Sequence, residues 1–397
     1  MNSVIDILEK PISDENIIKK DYHTYSPYLQ SYNSNDEIRI SIQNQDLYVL
    51  PGESFIYVEG FVTDANNTKL ITTSSNFKVK NNFLAYLFDE IRYELNGIEI
   101  DRTRHLGTSS SIKNLVSLSP TDSNAMENSG WNKIDDIKLI NGYFNFYAPL
   151  KMLLGFAEDY NKIILNGKHE LILLRSKNDA DLVYSSVSTE KPKMTISNIS
   201  WRIPHVQLSD LSKLNMMKTI NSGASIPIAF RSWDCHINPQ LNIGVNHIWN
   251  VKLASNRERP RFVLIAFQHE DKFIHCDLTN LKVHLNSESY PYDDLNIKFK
   301  NERFAILYDM YARFQENYYY MRDAKPLLTS QEFKNKAPII VIDVQHQNES
   351  VSSGPIDIKI EFETDTNIPE KTSAYCILIH DRIIEYNPLR GQVIKVL

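Results

Sequence analysis

The chain echoes itself at the scale of a whole domain. A strand-like run, Ile91–Leu95, ends in Leu95-Asn96 with a helix-like segment after it, and Leu281–Leu285 ends in Leu285-Asn286 in the same way about 190 positions later. Ala148-Pro149 opens an apolar run, and Ala337-Pro338 opens another at nearly the same offset. An alternating strand follows each, His169–Arg175 in the first half and Ile356–Phe362 in the second. Solenoid units repeat every ~20–50 residues, whereas domains run to ~100–200 residues. The echoes therefore predict two tandem copies of one β-rich domain.

The local pattern agrees. Ile38, Ile40 and Ile42 alternate with polar residues, the period of a half-buried strand. Phe55–Asp64 reads as a buried strand with Gly60 as a bulge, and Asn96-Gly97 reads as the turn of a hairpin joining Glu90–Leu95 to Ile98–Asp101. Further strands are expected at Tyr143–Tyr147, Met194–Ile203, Ile226–Phe230, Val245–Leu253, Arg261–Gln268, Ile339–Val344 and Ala374–His380. Helices are expected at Val4–Leu8, His105–Leu118 and Arg303–Phe314. The last carries Phe304, Leu307, Tyr308, Tyr311 and Phe314 on one face. Thr121–Ser129 reads as a polar loop. Many short strands with only a few helices between them argue for sandwiches rather than a parallel α/β sheet. The fold class is all-β with a few inserted short helices, as two tandem eight-stranded jelly rolls. The expected division is an N-terminal arm over 1–35, a first roll over 36–207 and a second over 208–397. In the arm, Ile5, Leu8, Ile17 and Ile18 call for burial, which favours an arm lying on a neighbouring subunit over a disordered tail.

Composition excludes several functions. The formal net charge of −6, without a long basic run, leaves no electrostatic footprint for nucleic acid. Arg257, Arg259 and Arg261 around Pro260 read as a solvated turn. Only 12 Gly occur, and neither GxxxxGK[ST] nor GxGxxG is present, so no phosphate cradle is expected. Three distant cysteines, Cys235, Cys276 and Cys376, fit buried thiols in a reducing compartment. The charged segment Met1–Tyr22 lacks the apolar stretch of a secretory signal, and no apolar run suits a membrane span.

Few residues are spaced for chemistry. His269-Glu270 with His275 has the wrong spacing for a zincin helix, and His275, Cys276 and Asp277 lack a second ligand pair. Asp135-Asp136 and Asp293-Asp294 are adjacent acids, which a strand would point to opposite faces. No catalytic residue, metal ligand or cofactor is expected. A tandem β-sandwich that binds carbohydrate or protein, and a hydrolase with a composite site, remain open readings at this point.

Four segments carry a resemblance: Pro149–Asp179 (PLKMLLGFAEDYNKIILNGKHELILLRSKND), Ile196–Ser209 (ISNISWRIPHVQLS), Glu258–Gln268 (ERPRFVLIAFQ) and Val283–Leu295 (VHLNSESYPYDDL). Together with the hairpin region Leu87–Asp101, they resemble the double jelly-roll major capsid proteins of Maverick/Polinton-type elements and adintovirus-like viruses. The resemblance covers most of Asp36–Leu397 in patches, and the N-terminal arm has no counterpart. It implies a structural protein whose partner is itself: a homotrimer of six rolls with a pseudo-hexagonal outline, tiling an icosahedral shell around double-stranded DNA. It also implies a penton or minor capsid partner, assembly inside the host cell, and residence in the virion. A host-domesticated, capsid-derived protein is an alternative. The loops Ser119–Asp136, Ser176–Lys193, Ser287–Asp294 and Arg322–Pro338 are the expected trimer contacts and outer crown.

Overall fold

The computed structural model describes residues 16–43, 48–63, 77–133, 137, 139, 142–185, 192–252, 259–323, 325–346 and 356–396. Among the described residues eight principal strands, besides a few short ones, make the first copy: β1 (Ile17–Tyr25), β2 (Glu37–Ile42), β3 (Phe55–Thr63), β4 (Phe88–Leu95), β5 (Ile98–Arg104), β6 (Tyr143–Pro149), β7 (His169–Arg175) and β8 (Lys193–Leu208). Eight make the second: β9 (Ile226–Asn238), β10 (Asn246–Lys252), β11 (Pro260–His269), β12 (Leu278–Leu285), β13 (Glu288–Tyr290), β14 (Ile340–Asp343), β15 (Asp357–Thr364) and β16 (Ser373–Asn387). The first copy stacks the sheets β1-β8-β3-β6 and β2-β7-β4-β5. The second stacks β9-β16-β11-β14 and β10-β15-β12-β13. Adding eight to every label of the first copy yields the second. Every ladder is antiparallel. These are two jelly rolls in tandem, joined by a helix, Asp210–Asn221.

The strands form where the sequence alternates. Ile38, Ile40 and Ile42 of β2 are buried while Glu37 and Arg39 face out. In β11 the run Phe262–Phe267 is buried throughout, because helices cover the face that does not meet the opposing sheet. Phe314 lies edge-on to Phe262 with ring centroids 5.0 Å apart. Phe304, Leu307, Tyr311 and Phe314 are buried as their spacing predicts, although the helix is broken into Ala305–Ala312 and Phe314–Tyr319. Asn96 and Gly97 both take positive φ, at 53° and 78°, the backbone that a tight hairpin with a right-handed twist requires.

Other expectations need correction. The bulge near Gly60 lies in the partner strand: the register of β8 slips between Ile196 and Asn198. Gly60 is needed for close approach, since a Cβ there would stand 2.2 Å from the Thr195 carbonyl oxygen. The expected loop Thr121–Ser129 holds a short helix, Pro120–Ala125, capped by the Ser119 side chain. The loop Arg322–Pro338 holds another, Ser330–Lys336, closed by a capping box between Thr329 and Glu332. The Ala-Pro echo is not structural: Ala148-Pro149 closes β6, whereas Ala337-Pro338 precedes β14. The segment assigned to an arm includes β1, whose residues pair with β8 from Ile17↔Leu208 to Tyr25↔Trp201. It is the counterpart of β9, which pairs with β16 in the same way. The expected helix Val4–Leu8 lies outside the described residues.

Candidate functional site

Nearly all the described buried apolar side chains of both rolls form one connected cluster, so the line where the rolls meet is packed as an interior. At its centre the short helix Gly155–Asp159 of the first roll abuts β9 of the second. A Cβ on Gly155 would stand 1.8 Å from the Arg231 carbonyl oxygen, so only glycine permits this approach. Phe156 then meets Phe230 edge-on at 5.4 Å. Asp159 accepts from the Arg231 backbone N–H at 2.8 Å and from its Nε at 2.7 Å, and the guanidinium lies 3.6 Å from the centroid of the Tyr318 ring.

Charge is concentrated in this seam and satisfied within it. Lys113, fully buried on the helix Leu106–Ser117, is paired with Glu158 and lies 4.9 Å above the Trp233 ring. Glu158 also accepts from the Tyr318 hydroxyl at 2.8 Å and the Tyr319 hydroxyl at 2.6 Å. Burial pulls the Lys113 ammonium below the ordinary lysine range against the opposing pull of Glu158. Burial also disfavours the Arg231 charge, but Asp159 and the neighbouring anions outweigh it, and its pKa rises. Burial beside Glu158 raises both tyrosines. Nearby, Asp101 accepts from the Phe156 N–H at 2.9 Å and from the Ser232 hydroxyl at 2.6 Å. At the seam's margins Lys80 reaches Asp271 at 2.6 Å, and Lys133 holds both oxygens of Glu332 at 2.8 and 2.9 Å. Each carboxylate is occupied by a partner from the other roll. Chemically the arrangement is a clamp that fixes one roll against the other.

The residues singled out in sequence fall elsewhere. Ile17 and Ile18 lie on the edge strand β1 at 39% and 61% exposure, while Ile5 and Leu8 lie outside the described residues. His269 ends β11, and the chain turns back through Glu270 and Asp271, both at positive φ. His275 stacks on Phe299 with centroids 4.1 Å apart, and its Nδ1 accepts from the Asp277 N–H at 3.0 Å. Burial pushes the Cys276 thiol up to about 12. Asp294 is held by Lys282 at 2.7 Å and Asn280 at 3.2 Å, and Arg261 is paired with Asp381. Asp135, Asp136 and Arg257 lie outside the described residues. Among the described residues no group of three His, Cys, Asp or Glu side chains converges as a metal site, and no helix is long and apolar enough to cross a membrane.

Sequence reasoning missed the seam. One signal was present: the helix Leu106–Ser117 carries a single charge, Lys113, among mostly small side chains, a composition that lets a helix pack closely on its neighbours. The adjacent Glu158-Asp159 pair was a second.

A family model described as the double jelly roll-like domain matches residues 77–384, and the chain belongs to that family. No curated protein sequence matches it. Its fold is similar to that in the structure of the Sputnik virophage (TM-score 0.66, 10% identity, 98% of this chain and 90% of that one). It is similar as well to PBCV-1 VP54 (0.64, 8% identity, 98% and 99%) and to the mavirus major capsid protein (0.57, 11% identity, 98% and 91%). At these identities the likeness establishes a shared fold.

Proposed function

We propose that the chain is a viral major capsid protein of the Maverick/Polinton and adintovirus-like kind, a structural protein without catalytic activity. Three copies form a homotrimer of six rolls with a pseudo-hexagonal outline, and trimers tile an icosahedral shell around double-stranded DNA, closed by a penton or minor capsid protein. The carrying observation is the doubled topology locked at a charged, fully packed seam, on a fold that the capsid proteins named above share over 98% of this chain. A rigid pair of like sandwiches turns a threefold axis into six near-equivalent sides, a closed arrangement built from one chain. With a net charge of −6, such a shell suits DNA introduced after assembly better than DNA condensed by the coat. We place the boundary between the rolls at Leu208, assign β1 to the first, and keep an inter-capsomer role for the residues that precede β1. The protein then resides in the virion and assembles inside the host cell. Negative-stain images of the purified chain test the reading. Hexagonal plates support it, and a field of single two-lobed particles at every concentration rejects it.

A further inference from the structure

β1 is an edge strand, and β8 is its only ladder partner among the described residues. Its inward residues, Asp21, His23 and Tyr25, face His205, Ile203 and Trp201 of β8. The rings of His23 and His205 lie 4.3 Å apart. His205 is 3% exposed; its Nε2 is 2.9 Å from the Tyr25 hydroxyl, and its buried Nδ1 has no hydrogen-bond partner among the described residues. On β7 in the facing sheet His169 is 1% exposed. Its Nδ1 is 2.7 Å from the Tyr93 hydroxyl, and its Nε2 likewise lacks a partner there.

We propose that His205, stacked against His23 of β1 and backed by His169, forms a proton-operated latch that holds β1 on its sheet while its ring is neutral and lets it go when that ring takes up a second proton. A second proton on the His205 ring would leave a buried N–H with no acceptor and a buried charge with no counter-ion against it. The surroundings offer little compensation. Asp21 stands opposite His205 in register, but its carboxylate is paired with Lys19. Tyr25 and Tyr93 contribute only hydroxyls, and Val49, the neighbour of His205 on the other side, is apolar. Burial, reinforced by His23, lowers His205 to about 4, and burial, reinforced by His205, lowers His169 to about 3. Because the docked state binds its proton less readily than a free imidazole, attachment of β1 is complete above about pH 6.5 and weakens as pH falls towards 4. For a His205 ring wholly freed on release, linkage loosens β1 at most about 30-fold at about pH 5. Release bares the backbone groups along the edge of β8, a ready template for another strand. The latch goes beyond the capsid reading and does not depend on it.

Hydrogen exchange of the full chain, corrected for intrinsic rates, tests the latch. Between about pH 7 and pH 5, protection over Ile17–Tyr25 should fall tenfold or more while β7 and β16 keep theirs. In His23→Gln with His205→Gln the fall should be absent. Should the double variant not fold, His23→Gln alone should reduce the pH effect at least threefold. Unchanged wild-type protection, or a variant that loosens as the wild type does, overturns the proposal.

Discussion

Asn96 and Asn286 hold equivalent corners of the two rolls by the same pair of hydrogen bonds. The Asn96 N–H donates to the Lys168 carbonyl at 2.8 Å while its Oδ1 accepts from the Lys168 N–H at 2.7 Å. Asn286 does both with Asp357, each at 2.9 Å. Lys168 precedes β7 and Asp357 begins β15, so each asparagine ties a hairpin corner to the head of the next strand in its sheet. Both residues take left-handed backbone, with φ of 53° and 54°. The Leu-Asn echo in the sequence is this clasp. Alanine at either position loses a side-chain acceptor and strains the backbone, and should cost about 2 kcal/mol. Urea unfolding of Asn96→Ala and Asn286→Ala should show similar losses; a loss at only one site would mean that the corners are not equivalent.

Gly155→Ala should be among the most damaging single-methyl substitutions in the chain. The added carbon meets the Arg231 backbone rather than a movable side chain. A cost of about 3 kcal/mol or more is expected, as for overpacking at a rigid contact. The control is Gly97→Ala, where a Cβ meets nothing and only the positive φ is strained, at about 1 kcal/mol. Equal melting temperatures for the two variants would contradict the seam as described.

Lys113→Met should cost about 3–5 kcal/mol, because it leaves Glu158 as a buried carboxylate without its cation. Adding Glu158→Gln should restore much of that, since the amide retains hydrogen-bonding capacity for Tyr318 and Tyr319. A double-mutant cycle in thermal unfolding checks this. Strict additivity would mean that the pair contributes nothing as a pair.

Glu332 should shape the acid limb of stability. Lys133 and the Thr329 N–H hold its carboxyl down at about 2. A depressed carboxylate stabilises the fold fully above its unfolded value near 4.5, and the contribution disappears as pH falls from there to about 2. Discounted for its partial exposure, it is worth about 1–2 kcal/mol. Glu332→Gln should therefore lower stability at about pH 6 and converge with the parent protein at about pH 2. A difference independent of pH would refute the assignment.

Truncation separates the two parts of the N-terminal segment. Removing residues 1–15 should leave unfolding unchanged and, on the capsid reading, permit trimers while impairing shells. Removing 1–25 takes away β1 and with it the ladder along β8, so unfolding should shift to lower temperature. If both truncations melt like the full chain, β1 adds nothing to the first roll.

The parts of the fold legible in sequence are those where one face is apolar and the other is not. β2, β4 and β12 alternate, and the Asn96-Gly97 turn declares itself by the backbone it needs. β1 was hidden because it sits at an edge: its inward face is Asp21, His23 and Tyr25, with no apolar period to detect. The helix Asp210–Asn221 was hidden for the opposite reason, since none of its residues is buried and Leu211 and Leu214 face outward. The seam was illegible because it is assembled from Asp101, Lys113, Glu158, Arg231 and Tyr318, which only the folded chain brings together. The Ala-Pro echo misled because a dipeptide that closes one strand and precedes another carries no register.

The solution mass of the purified chain by light scattering tests the central claim most directly. Three chain masses, stable to dilution, are what two rolls locked as one third of a six-sided ring predict. A single chain mass over a wide concentration range would contradict the capsomer reading and turn attention to a tandem sandwich that acts alone.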